Sequence, residues 1–177
     1  MMAVARVGLA LALAVVPAGI AHGDESKRAA GVADFCEVCP AALLAPSGLP
    51  AALKARDFSR SVTGNPGATV GATLHASADG MRTVTLTRYR FSDFSIASCI
   101  VSFSEPLSID ELADLRRRLE AQALVGRLEG ELIEPMPGLN IGTLKRPGNS
   151  PIMTVNITAT AKVTTLTMNR WDLLPSK

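Results

Sequence analysis

The chain has 177 residues, 18 of them Lys or Arg against 16 Asp or Glu, a formal charge of +2 at neutral pH. So even a balance argues against a polyanionic partner held by electrostatics, nucleic acid above all. With 47% hydrophobic residues and 19% charged ones, the composition is that of a folded core rather than a disordered tail.

The first residues read as a secretory signal peptide. Met1 to Arg6 carries one positive charge, Val7 to Val16 is apolar or small, and Pro17 leads into Ala18-Gly19-Ile20-Ala21-His22-Gly23. The apolar run is shorter than the roughly 20 residues that a membrane-spanning helix needs. We therefore expect residues 1–23 to be removed, with cleavage after Ala21 or Gly23, and a periplasmic or secreted product without a transmembrane segment. Arg6 leaves with the signal, so 17 basic residues face 16 acidic ones in the remainder.

Residues 24–33 are charged or small without periodicity and read as a flexible leader; residues 34–177 read as one domain. Pro40, Pro46 and Pro50 interrupt the Ala- and Leu-rich stretch 34–59, which predicts short helical pieces rather than one helix. Beyond Gly67 the apolar period becomes two. Val70-Gly71-Ala72-Thr73-Leu74-His75 and Arg82-Thr83-Val84-Thr85-Leu86-Thr87-Arg88-Tyr89 alternate around Asp79-Gly80, the signature of a hairpin closed by a type I′ turn. Ile96 to Ser104 is a third strand. Ser108 with Glu111 three residues later forms a capping box, with Leu107 and Leu112 as its hydrophobic staple, and Ile109, Leu112, Leu115 and Leu119 make the apolar stripe of a helix over about 108–121. Strand-like alternation resumes in 124–134, 139–144 and 152–168, with a switch of inward parity near Lys162. The expected fold is α+β: a mainly antiparallel sheet of five to seven strands, packed by the 108–121 helix and a short N-terminal helical segment.

Three cysteines remain after the signal is removed. In an oxidising compartment a disulfide is expected, and it joins Cys99 to either Cys39 or Cys36, closing a loop of about 60 residues that contributes roughly 4 kcal/mol in the chain-entropy picture. The alternative is thiol-redox chemistry at Cys36-Glu37-Val38-Cys39, but such motifs follow a buried strand, and here a charged leader precedes them. A haem attachment needs a histidine after Cys39, where Pro40 stands. Histidine is scarce. His22, if cleavage makes it N-terminal, together with His75 gives a remote copper-binding option. No G-x-S-x-G elbow accompanies His75 to suggest a hydrolase. Glu129 and Glu131 share a strand face with Arg127, which reads as the wet side of a strand rather than an acid–base pair. Arg82, Arg88 and Arg90 share a parity and form a candidate anion-binding edge, or else protect strand ends. No cofactor is implied. The sequence thus predicts an exported, non-enzymatic binding or envelope-accessory protein, whose partner is another envelope or extracellular protein, and not nucleic acid.

Overall fold

The computed structural model describes residues 22–63, 70–148 and 151–174. The expected signal segment 1–23 lies outside the described residues as far as Ala21. One antiparallel sheet organises the chain. Its eight strands are β1 (Phe58–Thr63), β2 (Val70–Ser77), β3 (Arg82–Arg90), β4 (Phe94–Phe103), β5 (Glu129–Met136), β6 (Leu139–Lys145), β7 (Ile152–Ala159) and β8 (Thr164–Leu173). Their order across the sheet is β1-β2-β3-β4-β8-β7-β6-β5, so each half is a four-stranded meander and the halves meet at β4 and β8. The class is α+β as expected, with eight strands rather than five to seven. One addition is β1, an edge strand with a register irregularity after Phe58; only its first residue, Phe58, joins the core, so no buried alternation announces it.

Helices cover one face. They are α1 (His22–Leu44), α2 (Leu49–Ala55), reached through a 3-10 turn at Pro46–Gly48, and α3 (Ile109–Glu120). The inward rows Val84 and Leu86 of β3, Cys99 and Val101 of β4, Leu166 and Met168 of β8, and Val155 and Ile157 of β7 meet Phe35, Val38 and Leu43 of α1 and Leu112, Leu115 and Leu119 of α3 in one core. Parity does switch between β7 and β8: Val155, Ile157 and Ala159 are buried, then Thr164, Leu166 and Met168. The capping box also forms. Glu111 N–H donates to Ser108 Oγ at 3.2 Å, and Ser108 N–H donates to Glu111 Oε2 at 2.8 Å.

The N-terminal expectations need correction. Residues 24–33 are not a leader but the first part of α1, and α1 continues through Pro40. It is buried on most of its sides, with Val32, Asp34, Phe35, Cys36, Val38 and Cys39 all inside, so a one-sided apolar stripe never arises. Gly31 is a contact residue: a Cβ there would come within 2.4 Å of the Phe103 ring. Pro40 is tolerated because its missing N–H is replaced. The carbonyl left over, four residues back at Cys36, accepts a hydrogen bond from the Gln122 side-chain amide at 2.9 Å. The β2–β3 hairpin forms, but its turn is not type I′. Only Gly80 has positive φ, 71°; the Asp79 carboxylate instead accepts from Ser77 Oγ at 2.6 Å and Met81 N–H at 3.0 Å, which holds Asp79 in ordinary backbone geometry.

The Gln122 contact makes a direct prediction. Gln122→Ala lowers stability by about 1–2 kcal/mol by leaving the Cys36 carbonyl unpaired. In a Pro40→Ala background, where a backbone N–H serves that carbonyl, the loss shrinks. Equal losses in the two backgrounds, measured by chemical denaturation, would contradict this account.

Candidate functional site

Cys39 pairs with Cys99 at an S–S distance of 2.03 Å. The bridge ties the last third of α1 to the middle of β4. Cys36 is left as a buried free thiol, one helical turn before its bonded neighbour, and burial pushes its pKa up to about 11. A redox nucleophile needs the opposite, an accessible thiol with a depressed pKa. Cys36 and Cys39 therefore form neither a bridge with each other nor a reactive pair in this state.

His75 lies on β2 and faces a cleft of about 380 Å³ beside α2, lined also by Lys54, Asp57, Phe58, Ser59 and Ser61. Burial lowers its pKa. Serine, histidine and aspartate thus share a cleft, but among the described residues no hydrogen bond joins His75 to any of them, and nucleophilic catalysis needs that chain of contacts. The His22 side chain lies outside the described residues. Among the described residues no group of three His, Cys, Asp or Glu side chains is placed to hold a metal ion. Glu129 and Glu131 sit exposed on the edge strand β5, with Arg127 3.6 Å from Glu129.

The three candidate arginines divide. Arg82, at the start of β3, is taken up by Asp34 of α1: its Nη1 donates to Oδ2 at 2.5 Å, while Arg56 Nε donates to Oδ1 at 2.8 Å. Asp34 is fully buried. Burial raises its pKa against the pull of Arg56 and Arg82. The two guanidiniums occupy both carboxylate oxygens, and Arg56 also donates to the Ala30 carbonyl at 3.0 Å. This cluster clamps α1 to the segment after α2 and to β3. Nothing in the sequence flagged Asp34, because its partners are 22 and 48 residues away.

Arg88 and Arg90 have a different fate. They project from the helix-facing side of β3 beyond the core and stay exposed. In register, Gly71 of β2 and Ala97 of β4 flank Arg88, and Arg170 of β8 lies across from Ala97. The sheet therefore presents glycine and alanine where α1 ends at Leu44 and the chain turns away. Side chains too small to reach the helical layer leave a groove. It comprises two adjoining cavities of about 360 and 400 Å³, which share Ala42, Leu43, Pro46, Arg88 and Ala97. The inner one is mainly apolar, with Leu49 and Leu86 in its walls. The outer one adds Arg90, Arg170, Ser95 and Asp172. Arg170 is partly engaged, donating to the Leu43 carbonyl at 2.8 Å and pairing with Asp172 at 2.9 Å; α1 has no basic residue in its own last turn, so Arg170 supplies the cation that its C-terminus favours. Among the described residues, Arg88 and Arg90 have no carboxylate partner within ion-pair distance.

The sheet edges bear on partner binding by strand addition. β5 carries Glu129, Glu131, Glu134 and Pro135 and breaks register between Ile133 and Met136, and β1 is short and irregular. Charge, proline and bulges are the devices that block edge pairing. No family model, curated protein or solved structure matches the chain, so its functional reading rests on this geometry.

The thiol arrangement makes a countable prediction. Alkylation at pH 8 adds no group to the native protein, one after unfolding without reductant, and three after unfolding with reductant. A native protein that takes up alkylating reagent within minutes would contradict the buried, protonated Cys36.

Proposed function

We propose that the chain is an exported, non-enzymatic binding protein, periplasmic or secreted, and that its ligand is a small amphiphile with an anionic head. The observation that carries this reading is the groove at the end of α1, apolar inside and lined by arginines at its open end. Its two parts are each within the size range of small-molecule sites, which are mostly apolar with a few polar groups that set orientation. An acyl or similarly apolar chain fits against Leu43, Leu49 and Leu86. The head meets Arg88 and Arg90, with charge-assisted hydrogen bonds from guanidinium to carboxylate or phosphate oxygens. The Cys39–Cys99 bridge supports export, since such bonds persist in oxidising compartments. No helix among the described residues is long and apolar enough to cross a membrane. An envelope or extracellular protein remains the natural donor or acceptor for such a ligand. The blunted edges favour a ligand in the groove over strand addition as the basis of recognition.

A fluorescent long-chain fatty acid, titrated into the purified protein, tests this. Saturable one-to-one binding is expected. Arg88→Glu with Arg90→Glu weakens it about tenfold or more, the equivalent of roughly 1.4 kcal/mol. Gly71→Leu, whose first side-chain carbon meets nothing within 4 Å, fills the groove and blocks the chain without disturbing the fold. Absence of saturable binding, or binding unchanged in both variants, would overturn the proposal.

A further inference from the structure

The sequence holds one Trp, one Tyr and five Phe. Three of the phenylalanines, Phe35, Phe58 and Phe103, are core residues. The remaining aromatic side chains all gather at one end of the sheet, where β3 ends, β4 begins and β8 ends. Phe91 stacks on Phe94 with ring centroids 4.5 Å apart, and Phe94 stacks on Trp171 at 6.0 Å. Across from Phe94 stands Leu173, 75% exposed and the barest of the large apolar side chains among the described residues; Phe91 is 46% and Trp171 37% exposed. The turn that presents them is held by backbone hydrogen bonds, Phe91 N–H to Phe94 O and Leu174 N–H to Asp93 O, both 2.9 Å.

The cluster is the aromatic end of the uncovered face, flanked by Ile96 and Ile152, which pair with Trp171. Further along, isolated aliphatics such as Ile100 and Leu74 alternate with hydroxyls and amides, some of which bond one another, as in Ser98 to Asn169 at 2.7 Å and Asn169 to Thr154 at 3.2 Å. At the apolar end, the helix-facing side of the same strands carries Arg88 and Arg90. Among the described residues the acids at this end are Asp93 and Asp172, and Asp172 is already paired with Arg170, so there cations exceed free carboxylates. A row of Trp and Phe beside unpaired arginines is the composition that a lipid headgroup region accepts: the rings sit at the boundary of head and acyl layers, and the guanidiniums meet phosphates.

We propose that this end of the sheet docks on an anionic lipid bilayer, inserting Phe91, Phe94, Trp171 and Leu173 at headgroup depth with Arg88 and Arg90 against the phosphates. The proposal shares Arg88 and Arg90 with the groove, but its apolar anchors lie on the opposite side of the sheet, so substitutions at Phe91 and Leu173 separate it from the groove ligand. A protein surface as the occupant is the competing outcome, and the cations argue for lipid.

Trp171 is its own reporter, being the one tryptophan in the chain. Vesicles of phosphatidylcholine with phosphatidylglycerol are expected to shift its emission to the blue and to sediment the protein, and vesicles of phosphatidylcholine alone to do so about tenfold less well. The double substitution Phe91→Ser with Leu173→Ser, at exposed positions, abolishes the shift and the sedimentation while fatty-acid binding in the groove persists. Arg88→Glu with Arg90→Glu removes the preference for the anionic vesicles. An uncleaved apolar N-terminus would bind lipid by itself, so the difference between wild type and Phe91→Ser/Leu173→Ser is the quantity read. Failure of the wild type to sediment with either vesicle, or sedimentation unchanged in that variant, would overturn the proposal.

Discussion

Everything on the helix-covered side of this protein depends on how α1 is pressed onto β4. Four contacts, spread along the helix, determine its seat. Gly31 lets the backbone approach the Phe103 ring, Asp34 takes the guanidiniums of Arg56 and Arg82, Cys39 is bonded to Cys99, and the Leu43 carbonyl accepts from Arg170. The contacts differ in kind. The disulfide restricts the unfolded chain, by roughly 4 kcal/mol for a loop of this length. The Asp34 cluster gives little net stability, because burying charge is costly, yet it penalises any placement of α1 that leaves the carboxylate unpaired. Together they set the height at which α1 ends, and hence the groove left above Gly71 and Ala97.

The topology shows a second regularity. Each half of the sheet is a helix-led meander of four strands, and the halves join through antiparallel pairing of β4 with β8. β7 trails β3 in sequence by the same interval as β8 trails β4. The halves differ where chemistry enters. The second has the amphipathic α3 over a closed aliphatic core, whereas the first has α1 with its bridge, its buried acid and the open groove. The inward positions at the end of β7 are Ile157 and Ala159, both buried, whereas the end of β3 carries exposed arginines. The arginines are therefore not a demand of the architecture.

Local signals in the sequence were reliable where the structure is local. The capping box before α3, the Asp79-Gly80 hairpin and the parity switch between β7 and β8 each depend on residues a few positions apart, and each appears in the fold. Signals that depend on distant partners were not legible. Residues 24–33 read as a leader because they are charged or small and, of those whose side chains are described, only Gly31 and Val32 are buried, too few to show a stripe. Pro40 read as a break because its rescue comes from Gln122, 82 positions downstream. Asp34 attracted no notice, and Arg82, Arg88 and Arg90 looked alike by parity, although the register gives the first a buried partner and places the other two at the groove. Arg170 joins them only through strand pairing across β4. The candidate site was thus half visible: two of its cations, Arg88 and Arg90, could be named, but neither Arg170, nor the apolar wall supplied by the end of α1, nor the small-residue floor could.

Hydrogen exchange on a Cys39→Ser/Cys99→Ser protein tests most directly the claim that the seating of α1 creates the groove. Amides of α1 are expected to lose protection by at least tenfold while those of β6 and β7, far from the bridge in the strand order and packed under α3, keep theirs, and fatty-acid binding is expected to fall in step with α1. Unchanged protection of α1, or full binding by a protein whose α1 exchanges freely, would contradict it.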